Sequence, residues 1–195
     1  MRLFSIICFI FLTACSDDSG LVSVSSDATV LAFGDSLTVS VGAKRTTYPK
    51  QLANLTGLTV IASGVSGEQT QQGLARLPAA LDAHQPDVLV LLEGGNDFLR
   101  NQRPARVKAN LAAMIELAQA QGIAVILVAV PQKSLFLSDA PLYQELAQQY
   151  GIPVVANTPS ELLADNDYKS DQIHLNDQGY QRLAESIAEH IRVIR

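Results

Sequence analysis

Five apolar segments of strand length, each followed by a segment with helical periodicity, constrain the fold more than any other feature of this sequence. The apolar segments span residues 29–33, 58–62, 87–92, 123–130 and 153–156. Continuous runs of Val, Ile and Leu are typical of strands that are covered on both faces in a parallel sheet. Helices are predicted near residues 47–55, 68–83, 104–121, 139–150 and 176–193. The alternation predicts a single α/β domain, a three-layer α/β/α sandwich around a five-stranded parallel sheet with the flavodoxin-like strand order 2-1-3-4-5.

The first fifteen residues have the pattern of an export signal. Arg2 precedes an apolar run over residues 3–12, which is shorter than a membrane-spanning helix but long enough for the apolar part of a signal peptide. The run ends in Leu12-Thr13-Ala14-Cys15, which resembles a bacterial lipobox. The resemblance implies a lipoprotein signal peptide over residues 1–14, lipidation of Cys15 and a flexible tether over residues 15–27. An ordinary secretory signal with an incidental cysteine is the alternative.

With such an anchor, the domain over residues 28–195 would stand on the periplasmic side of a bacterial membrane or at the cell surface. Its composition excludes several other functions. The chain carries a net charge of −5 and has no cluster of Lys and Arg, so nucleic-acid binding is not expected. Its two cysteines are Cys8 and Cys15, so the domain itself has neither disulfides nor a cysteine metal site. Metal-binding and phosphate-binding motifs are also missing from the sequence, and no metal or cofactor is predicted.

Three loops carry polar or glycine-rich sequences directly after the first three predicted strands. They are Gly34-Asp35-Ser36-Leu37, Ser63-Gly64-Val65-Ser66-Gly67 and Gly94-Gly95-Asn96-Asp97. Because the carboxyl ends of parallel strands lie along one edge of a sheet, these loops are expected to converge there. The convergence would bring a hydroxyl, a side-chain amide and backbone N–H groups together. These are the groups needed for a serine nucleophile and for stabilising the oxyanion of acyl transfer, with Ser36, Gly64 and Asn96 as candidate donors.

A serine nucleophile also requires a general base, and the domain offers three histidines. His84 is predicted at the opposite edge of the sheet and His190 in the last helix, whereas His174 lies in a loop that enters that helix. Asp171, three residues before His174, can accept a hydrogen bond from one ring nitrogen and leave the other to face Ser36. These are the roles of a Ser-His-Asp triad.

The ordered set of motifs resembles the GDSL/SGNH hydrolase family. Gly34-Asp35-Ser36-Leu37 is similar to block I, Gly64 to block II, Gly94-Gly95-Asn96-Asp97 to block III and Asp171-x-x-His174 to block V. The segment over residues 66–77 is most similar to the bacterial periplasmic arylesterase and thioesterase–lysophospholipase group of that family. The resemblance implies the SGNH fold and metal-free hydrolysis of esters or thioesters. It also implies catalytic Ser36, Asp171 and His174 and an oxyanion hole of Ser36, Gly64 and Asn96. Leu175 departs from the pattern, since many relatives have proline after the histidine.

Two other residues near the candidate nucleophile have a structural interpretation. Ser66 is a rival nucleophile, but Glu68 breaks the G-x-S-x-G pattern and Ser66 is predicted to cap a helix. Asp35 is predicted to hold the Ser36 loop together.

The substrate is less constrained by the sequence. Acyl esters are the leading expectation, with lysophospholipids or acyl thioesters as the candidate substrates. A carbohydrate O-deacetylase and a non-catalytic binding lipoprotein of the same fold remain as alternatives. Leu135, Phe136 and Leu137 form an apolar triplet after the fourth strand. They either contact an acyl chain or pack against the helix at 139–150.

Overall fold

The computed structural model of the protein describes residues 20–132 and 137–194. In chain order the strands are β1 (Val22–Ser25), β2 (Thr29–Gly34), β3 (Thr59–Gly64), β4 (Val88–Leu92), β5 (Ala124–Val128), β6 (Pro131–Gln132), β7 (Ser138–Asp139), β8 (Val154–Val155) and β9 (Ile191–Ile194). The helices are α1 (Ser36–Val39), α2 (Tyr48–Thr56), α3 (Thr70–His84), α4 (Gly95–Leu99), α5 (Pro104–Ala120), α6 (Leu142–Tyr150), α7 (Thr158–Ala164) and α8 (Asp177–Ala188). The predicted signal peptide over residues 1–14, Cys15, Leu135 and Phe136 lie outside the described residues.

The central sheet has five parallel strands in the order β3-β2-β4-β5-β8. These strands correspond to the five predicted apolar segments, and the predicted order 2-1-3-4-5 is confirmed. β2 and β4 lie inside the sheet and are buried along almost their whole length, which explains their continuous apolar sequences. β3 is an edge strand and is half exposed.

Helices flank the sheet and complete the predicted α/β/α sandwich. α2 packs against α8, while α3 packs against α5 and α5 against α6. Asn176 caps α8, because its side-chain oxygen accepts hydrogen bonds from the N–H groups of Gln178 and Gly179, each at 3.0 Å. In the described part of the chain, no helix combines the length and apolarity needed to cross a bilayer.

The two ends of the described chain differ from the prediction. The last helix stops at Ala188 and not near residue 193, and β9 then pairs in parallel with β1, with Val22 opposite Ile191. Val22 and Val24 are buried by this pairing, while the intervening serine faces solvent. The tether predicted over residues 15–27 is therefore wrong for residues 22–25, which are an integral strand of the fold.

Several short elements at the carboxyl edge of the sheet were not predicted. α1 and α4 are single turns that begin immediately after β2 and β4, and β6 and β7 form a small antiparallel pair on either side of residues 133–136. The helix cap predicted at Ser66 is also wrong. α3 begins at Thr70 with Gln69 in the cap position, and the Gln69 N–H donates to Gln72 Oε1 at 3.1 Å.

Candidate active site

Ser36 lies at the carboxyl edge of the sheet, where β2 ends and α1 begins. Asp35 precedes it as the helix cap, and the Asp35 carboxylate accepts a hydrogen bond from the Leu37 N–H at 2.9 Å. Asp35 is buried, whereas Ser36 is half-buried and lines a surface cavity. The loop-holding role predicted for Asp35 is confirmed by these contacts.

The structure brings the hydroxyl of Ser36 together with the side chains of His174 and Asp171. His174 Nε2 lies 3.1 Å from Ser36 Oγ, and His174 Nδ1 lies 2.8 Å from Asp171 Oδ2. The His174 side chain is only 15% exposed, but the Asp171 side chain is 54% exposed. The three groups therefore form a continuous hydrogen-bonded chain that runs from solvent to the half-buried hydroxyl.

A tight turn holds the loop that carries Asp171 and His174. Asp171 Oδ1 accepts the N–H groups of Ile173 and His174, both at 2.8 Å, and the Ser170 N–H donates to the His174 carbonyl at 2.9 Å. Desolvation is the largest single influence on Asp171 and opposes ionisation, but the hydrogen bonds from His174 and Ile173 outweigh it and lower the pKa of Asp171. The carboxylate is thus ionised and fixed beside the imidazole. Leu175, the departure from the family pattern, is fully buried in the core.

Asn96 lies in α4, after the turn that ends β4. Its amide nitrogen donates to Asp35 Oδ2 at 3.0 Å, and since an amide NH₂ group has two hydrogens, the second is available to another acceptor. The neighbouring Asp97 is buried and accepts the N–H and the hydroxyl of Thr70, each at 2.8 Å. Asp97 therefore joins α4 to the start of α3.

Burial changes the ionisation of Asp35. Removal of the carboxyl from water raises its pKa to about 6, and the hydrogen bonds from Leu37 and Asn96 reduce the size of this effect. Asp35 is therefore mostly ionised at neutral pH, when it accepts both hydrogen bonds.

Gly64 occupies a different position from the one expected for a hydrogen-bond donor. It is the last residue of β3, and the next residue, Val65, donates its N–H to the Gly34 carbonyl of β2 at 2.9 Å. Successive N–H groups of a strand point to opposite edges, so the Gly64 N–H points away from β2 and from the turn at Ser36. What requires glycine here is packing, because a Cβ would lie 2.7 Å from Val39 N and 2.9 Å from the Asp35 carbonyl oxygen.

Gly67 is an alternative backbone donor in the same loop. Residues 65–68 form a turn closed by the hydrogen bond from the Glu68 N–H to the Val65 carbonyl, and Gly67 has a φ of +79° at the third position of that turn. The turn does not use the Gly67 N–H. Gly67 was not predicted as a donor, because the loop contains two glycines and only their conformations in the structure distinguish them.

The other two histidines lie apart from this site. His84 ends α3 before β4, and His190 follows α8, where its Nδ1 lies 2.9 Å from the Gly20 carbonyl oxygen. Ser66 is exposed in the turn before α3. Across residues 20–132 and 137–194, no group of three or more His, Cys, Asp or Glu residues is arranged to hold a metal ion.

A cavity of about 270 Å³ opens beside Ser36. Most of the lining is apolar, and the polar residues of the wall are Asp35, Ser36, Asn96, Gln132 and Gln172. The apolar side chains are those of Leu37, Phe98, Leu99, Val130, Pro131, Leu137, Leu163 and Ile173. Leu137, the described member of the predicted triplet, is 46% exposed at this wall, and Leu99 and Ile173 are 47% and 42% exposed. Three exposed apolar side chains thus surround the mouth of one cavity.

A network of charged side chains near the site, formed by Arg76, Glu68 and Glu93, was not predicted from the sequence. Arg76 donates to both carboxylate oxygens of Glu68, from Nε at 3.0 Å and from Nη2 at 2.6 Å. Its Nη1 also donates to Ser63 Oγ at 2.6 Å, and the guanidinium stacks 3.9 Å from the ring centre of Phe33. Glu93 is fully buried at the end of β4. The only signal in the sequence is a glutamate directly after five apolar residues.

The fold and the arrangement at its carboxyl edge define an α/β/α hydrolase with a serine, a histidine and an aspartate in hydrogen-bonding contact. The model of the GDSL-like Lipase/Acylhydrolase family matches residues 32–182, and the chain belongs to this family. It is an enzyme of the GDSL/SGNH class, a hydrolase of carboxylic esters, as the resemblance predicted.

Individual relatives agree with this assignment. The chain is 27% identical over 197 residues to an arylesterase of Vibrio mimicus, and the alignment covers 98% of each chain. It is 26% identical to thioesterase 1/protease 1/lysophospholipase L1 of Escherichia coli (strain K12) over 84% of this chain and 83% of that one. The crystal structure of TesA superimposes with a TM-score of 0.71 and 28% identity, and covers 83% of this chain and 97% of TesA.

Proposed function

We propose that the protein hydrolyses esters of apolar acyl chains, with Ser36 as nucleophile, His174 as general base and Asp171 as the group that orients His174. The observation that carries the proposal is the 3.1 Å contact between His174 Nε2 and Ser36 Oγ, beside a cavity with mostly apolar walls. Nucleophile, base and orienting carboxylate within hydrogen-bond reach are the geometric signature of covalent catalysis by serine.

The reaction follows from these contacts in two steps. As Ser36 Oγ attacks the acyl carbon, His174 Nε2 takes the hydroxyl proton, and the resulting imidazolium is stabilised by Asp171 at its Nδ1–H. Collapse of the tetrahedral intermediate expels the alcohol or thiol, which receives the proton from His174, and leaves the acyl group on Ser36. A water molecule, deprotonated by His174, then attacks the acyl-enzyme and releases the carboxylic acid and free Ser36.

The oxyanion of each tetrahedral intermediate needs hydrogen-bond donors. The Ser36 N–H and the free hydrogen of the Asn96 amide supply two of them in this proposal, since both groups line or adjoin the cavity and Asp35 holds Asn96 in place. Gly64 was expected as the third donor, but the direction of its N–H favours Gly67 in the same loop.

The walls of the cavity support an acyl chain as the substrate group. Phe98, Val130 and Leu163 lie in the wall, and Leu99, Leu137 and Ile173 extend the apolar surface to its rim. An alkyl chain is a group that such a surface can remove from water at a gain of about 0.8 kcal/mol for each buried CH₂. Lysophospholipids and acyl thioesters carry such chains, and the E. coli relative bears both activities in its name.

Export and lipidation belong to the same proposal. Residues 1–14 would be removed as a signal peptide and Cys15 would carry the lipid, which would place the enzyme on the periplasmic side of a bacterial membrane or at the cell surface. Support comes from the sequence Leu12-Thr13-Ala14-Cys15 after an apolar run. Expression of the full chain and of Cys15→Ser in a bacterial host, followed by separation of membranes, tests this directly. Recovery of both forms in the same fraction would contradict the anchor.

Labelling with a fluorophosphonate probe tests the catalytic assignment. Folded wild-type protein should be labelled, Ser36→Ala should not, and Ser66→Ala should be labelled as strongly as the wild type. Labelling that persists in Ser36→Ala, or its absence from folded wild-type protein, would reject Ser36 as the nucleophile.

A series of p-nitrophenyl esters from acetyl to palmitoyl, together with lysophosphatidylcholine and an acyl-coenzyme A, tests the substrate class. The proposal predicts higher kcat/KM for medium or long chains than for acetyl. Activity confined to acetyl esters would favour removal of acetyl groups from carbohydrate, and no turnover with an intact fold would favour a binding protein.

A further inference from the structure

A buried carboxyl group that the proposed mechanism does not use lies immediately before the turn that carries Asn96. Glu93 joins β4 to Gly94 and is fully buried, and neither of its carboxyl oxygens has a hydrogen-bond donor among the described residues. A buried carboxylate without partners costs several kcal/mol, so an ionised and isolated Glu93 is not a stable arrangement. The position of Glu93 therefore requires a physical explanation.

The surrounding elements leave just enough room for this side chain. A Cβ on Gly73 of α3 would lie 3.3 Å from Glu93 Oε1 and 3.5 Å from the ring of Phe33 in β2. Because any larger residue at position 73 would press on the carboxyl group, the glycine in α3 makes room for it. Glu93 thus fills a shaped space between the sheet and α3.

Glu68 is a second buried carboxyl group, and hydrogen bonding and charge from it are among the causes that raise the pKa of Glu93. Two ionised carboxylates can only accept hydrogen bonds, so a bond between them requires one proton. Arg76 donates to both oxygens of Glu68, which keeps Glu68 in its charged form. The proton therefore belongs on Glu93.

We propose that Glu93 is a neutral acid that donates a hydrogen bond to the Glu68 carboxylate and acts as a positioning residue for Asn96 and Asp35. The inference rests on the proposed role of Asn96 in stabilising the oxyanion. The main chain of Glu93 is fixed as well, because the Tyr143 hydroxyl donates to its carbonyl oxygen at 2.7 Å. Two residues later, Gly95 lies next to Asp35, since a Cβ on Gly95 would be in van der Waals contact with Asp35 Oδ2 at 3.4 Å. Displacement of Glu93 would consequently move the turn against Asp35 and Asn96.

The charges around Glu93 keep it protonated. Burial, then the charge of Asp35, then the hydrogen bond and charge of Glu68, and finally the charge of Asp97 raise the pKa of Glu93 well above its usual range. The guanidinium of Arg76 is bound to Glu68, one of these acids, and the His174 side chain acts on Asp35, another of them. Ionisation of Glu93 at high pH would place another negative charge beside Asp35, Glu68 and Asp97 and would push the Asn96 turn away.

The first test measures stability and does not depend on catalysis. Since the folded protein holds this proton more tightly than the unfolded chain, stability falls as the pH rises from about 5 to the raised pKa, by up to tenfold in the folding equilibrium constant per pH unit. Urea unfolding between pH 5 and 9 should show this dependence in the wild type and in the exposed control Glu145→Gln. Glu93→Gln keeps the shape of the side chain and a neutral donor. Its stability should therefore change less with pH over the same range. An identical pH dependence for the wild type and Glu93→Gln would overturn the proposal.

The second test measures how Glu93 acts on the reaction. With a soluble short-chain ester, kcat of the wild type should fall reversibly at alkaline pH, and Glu93→Gln should lack this fall. Glu93→Leu fills the space without a donor and should lower kcat about tenfold at neutral pH with little change in KM. Wild-type kcat in Glu93→Leu would reject the positioning role even if the stability result holds. A stability difference without fluorophosphonate labelling of Ser36 would keep the buried proton and reject the proposed function.

Discussion

The Asn96 amide donates to the Asp35 carboxylate at 3.0 Å, although the two residues are 61 positions apart and follow different strands. Asp35 at the same time accepts the Leu37 N–H and so shapes the turn of Ser36. One buried carboxylate therefore sets the position of both the hydroxyl and the side-chain amide at the site. A change at Ser36 or at Asn96 should consequently alter the position of the other residue.

Removal of the Asn96 amide should slow turnover. Asn96→Ala is expected to lower kcat by about 10²- to 10³-fold with a smaller change in KM, because the amide would act mainly on the oxyanion of the transition state. Steady-state kinetics with a p-nitrophenyl ester measures both constants. Asn110→Ala is the control, since Asn110 bonds to Thr70 outside the cavity. Equal effects of the two substitutions would contradict the assignment.

His174 and Asp171 should differ in importance. His174→Ala is expected to reduce kcat by about 10⁴- to 10⁶-fold, close to the effect of Ser36→Ala, because base and nucleophile act as a unit. Asp171→Asn should cost less, about 10²- to 10³-fold, since its side chain is 54% exposed and water can partly replace it. Single-turnover kinetics with each variant provides the comparison. A larger loss for Asp171→Asn than for His174→Ala would show that the roles are reversed.

Because of Asp35, the free energy of unfolding should decrease as the pH rises from about 4 to 6. Its pKa of about 6 in the folded state lies above the ordinary value of 3.8, so the folded protein binds this proton more tightly than the unfolded chain. The free energy of unfolding should consequently fall between pH 4 and 6, by about 3 kcal/mol from this group, and level off above pH 6. Urea unfolding of Asp35→Asn should lack this contribution, whereas the exposed Asp82→Asn should retain it. Parallel curves for the wild type and Asp35→Asn would refute the prediction.

The rim of the cavity should determine preference for acyl-chain length. Leu137→Asp and Ile173→Asp each place a charge on the apolar wall and should lower kcat/KM for octanoyl and longer esters by about tenfold, with little effect on acetyl esters. Leu55→Asp is a matched control, because Leu55 is similarly exposed, at 52%, on α2 and does not line this cavity. Rates for the ester series measure the effect. An unchanged ratio of long-chain to acetyl activity would show that the rim does not contact the chain.

The N-terminal strand β1 should contribute to the stability of the fold. A chain that begins at Gly20 keeps β1, whereas a chain that begins at Ser26 loses the buried side chains of Val22 and Val24. The shorter chain should be less stable by about 3–6 kcal/mol, since burying each valine contributes about 1.5–3 kcal/mol. Thermal unfolding of both forms gives the difference, and identical Tm values would mean that β1 adds nothing to the fold.

The central sheet could be predicted from sequence because its inner strands are covered on both faces. The resulting continuous apolar segments were recognisable, and the expected order followed from their alternation with helices. The pairing of β1 with β9 could not be predicted. Val22-Ser23-Val24 and Ile191-Arg192-Val193 do alternate in the manner of a half-buried strand, but each is short, and its partner is more than 160 residues away.

The site was predictable to the extent that its groups follow strand ends. Ser36, Asn96 and His174 carry reactive or polar groups at the carboxyl edge, where parallel strands bring loops together. The direction of the Gly64 N–H was not predictable, because it depends on which edge of β3 pairs with β2. The proton on Glu93 was equally inaccessible, since it results from Glu68 and Arg76, which are 25 and 17 positions away in the sequence and meet it only in the folded chain.

The pairing of β1 with β9 also fixes the direction from which the chain enters the domain. Gly20 lines a surface hollow with Gly151, Ile152 and Pro153, the residues that precede β8, and so lies at the amino edge of the sheet. Ser36 lies at the opposite, carboxyl edge of the sheet, after the six-residue strand β2, which is about 20 Å long. A lipid on Cys15 would therefore attach the enzyme to the membrane from the amino edge of the sheet, opposite the edge that carries Ser36. The mouth of the cavity would point outward from the anchoring bilayer, toward esters that arrive from the aqueous side.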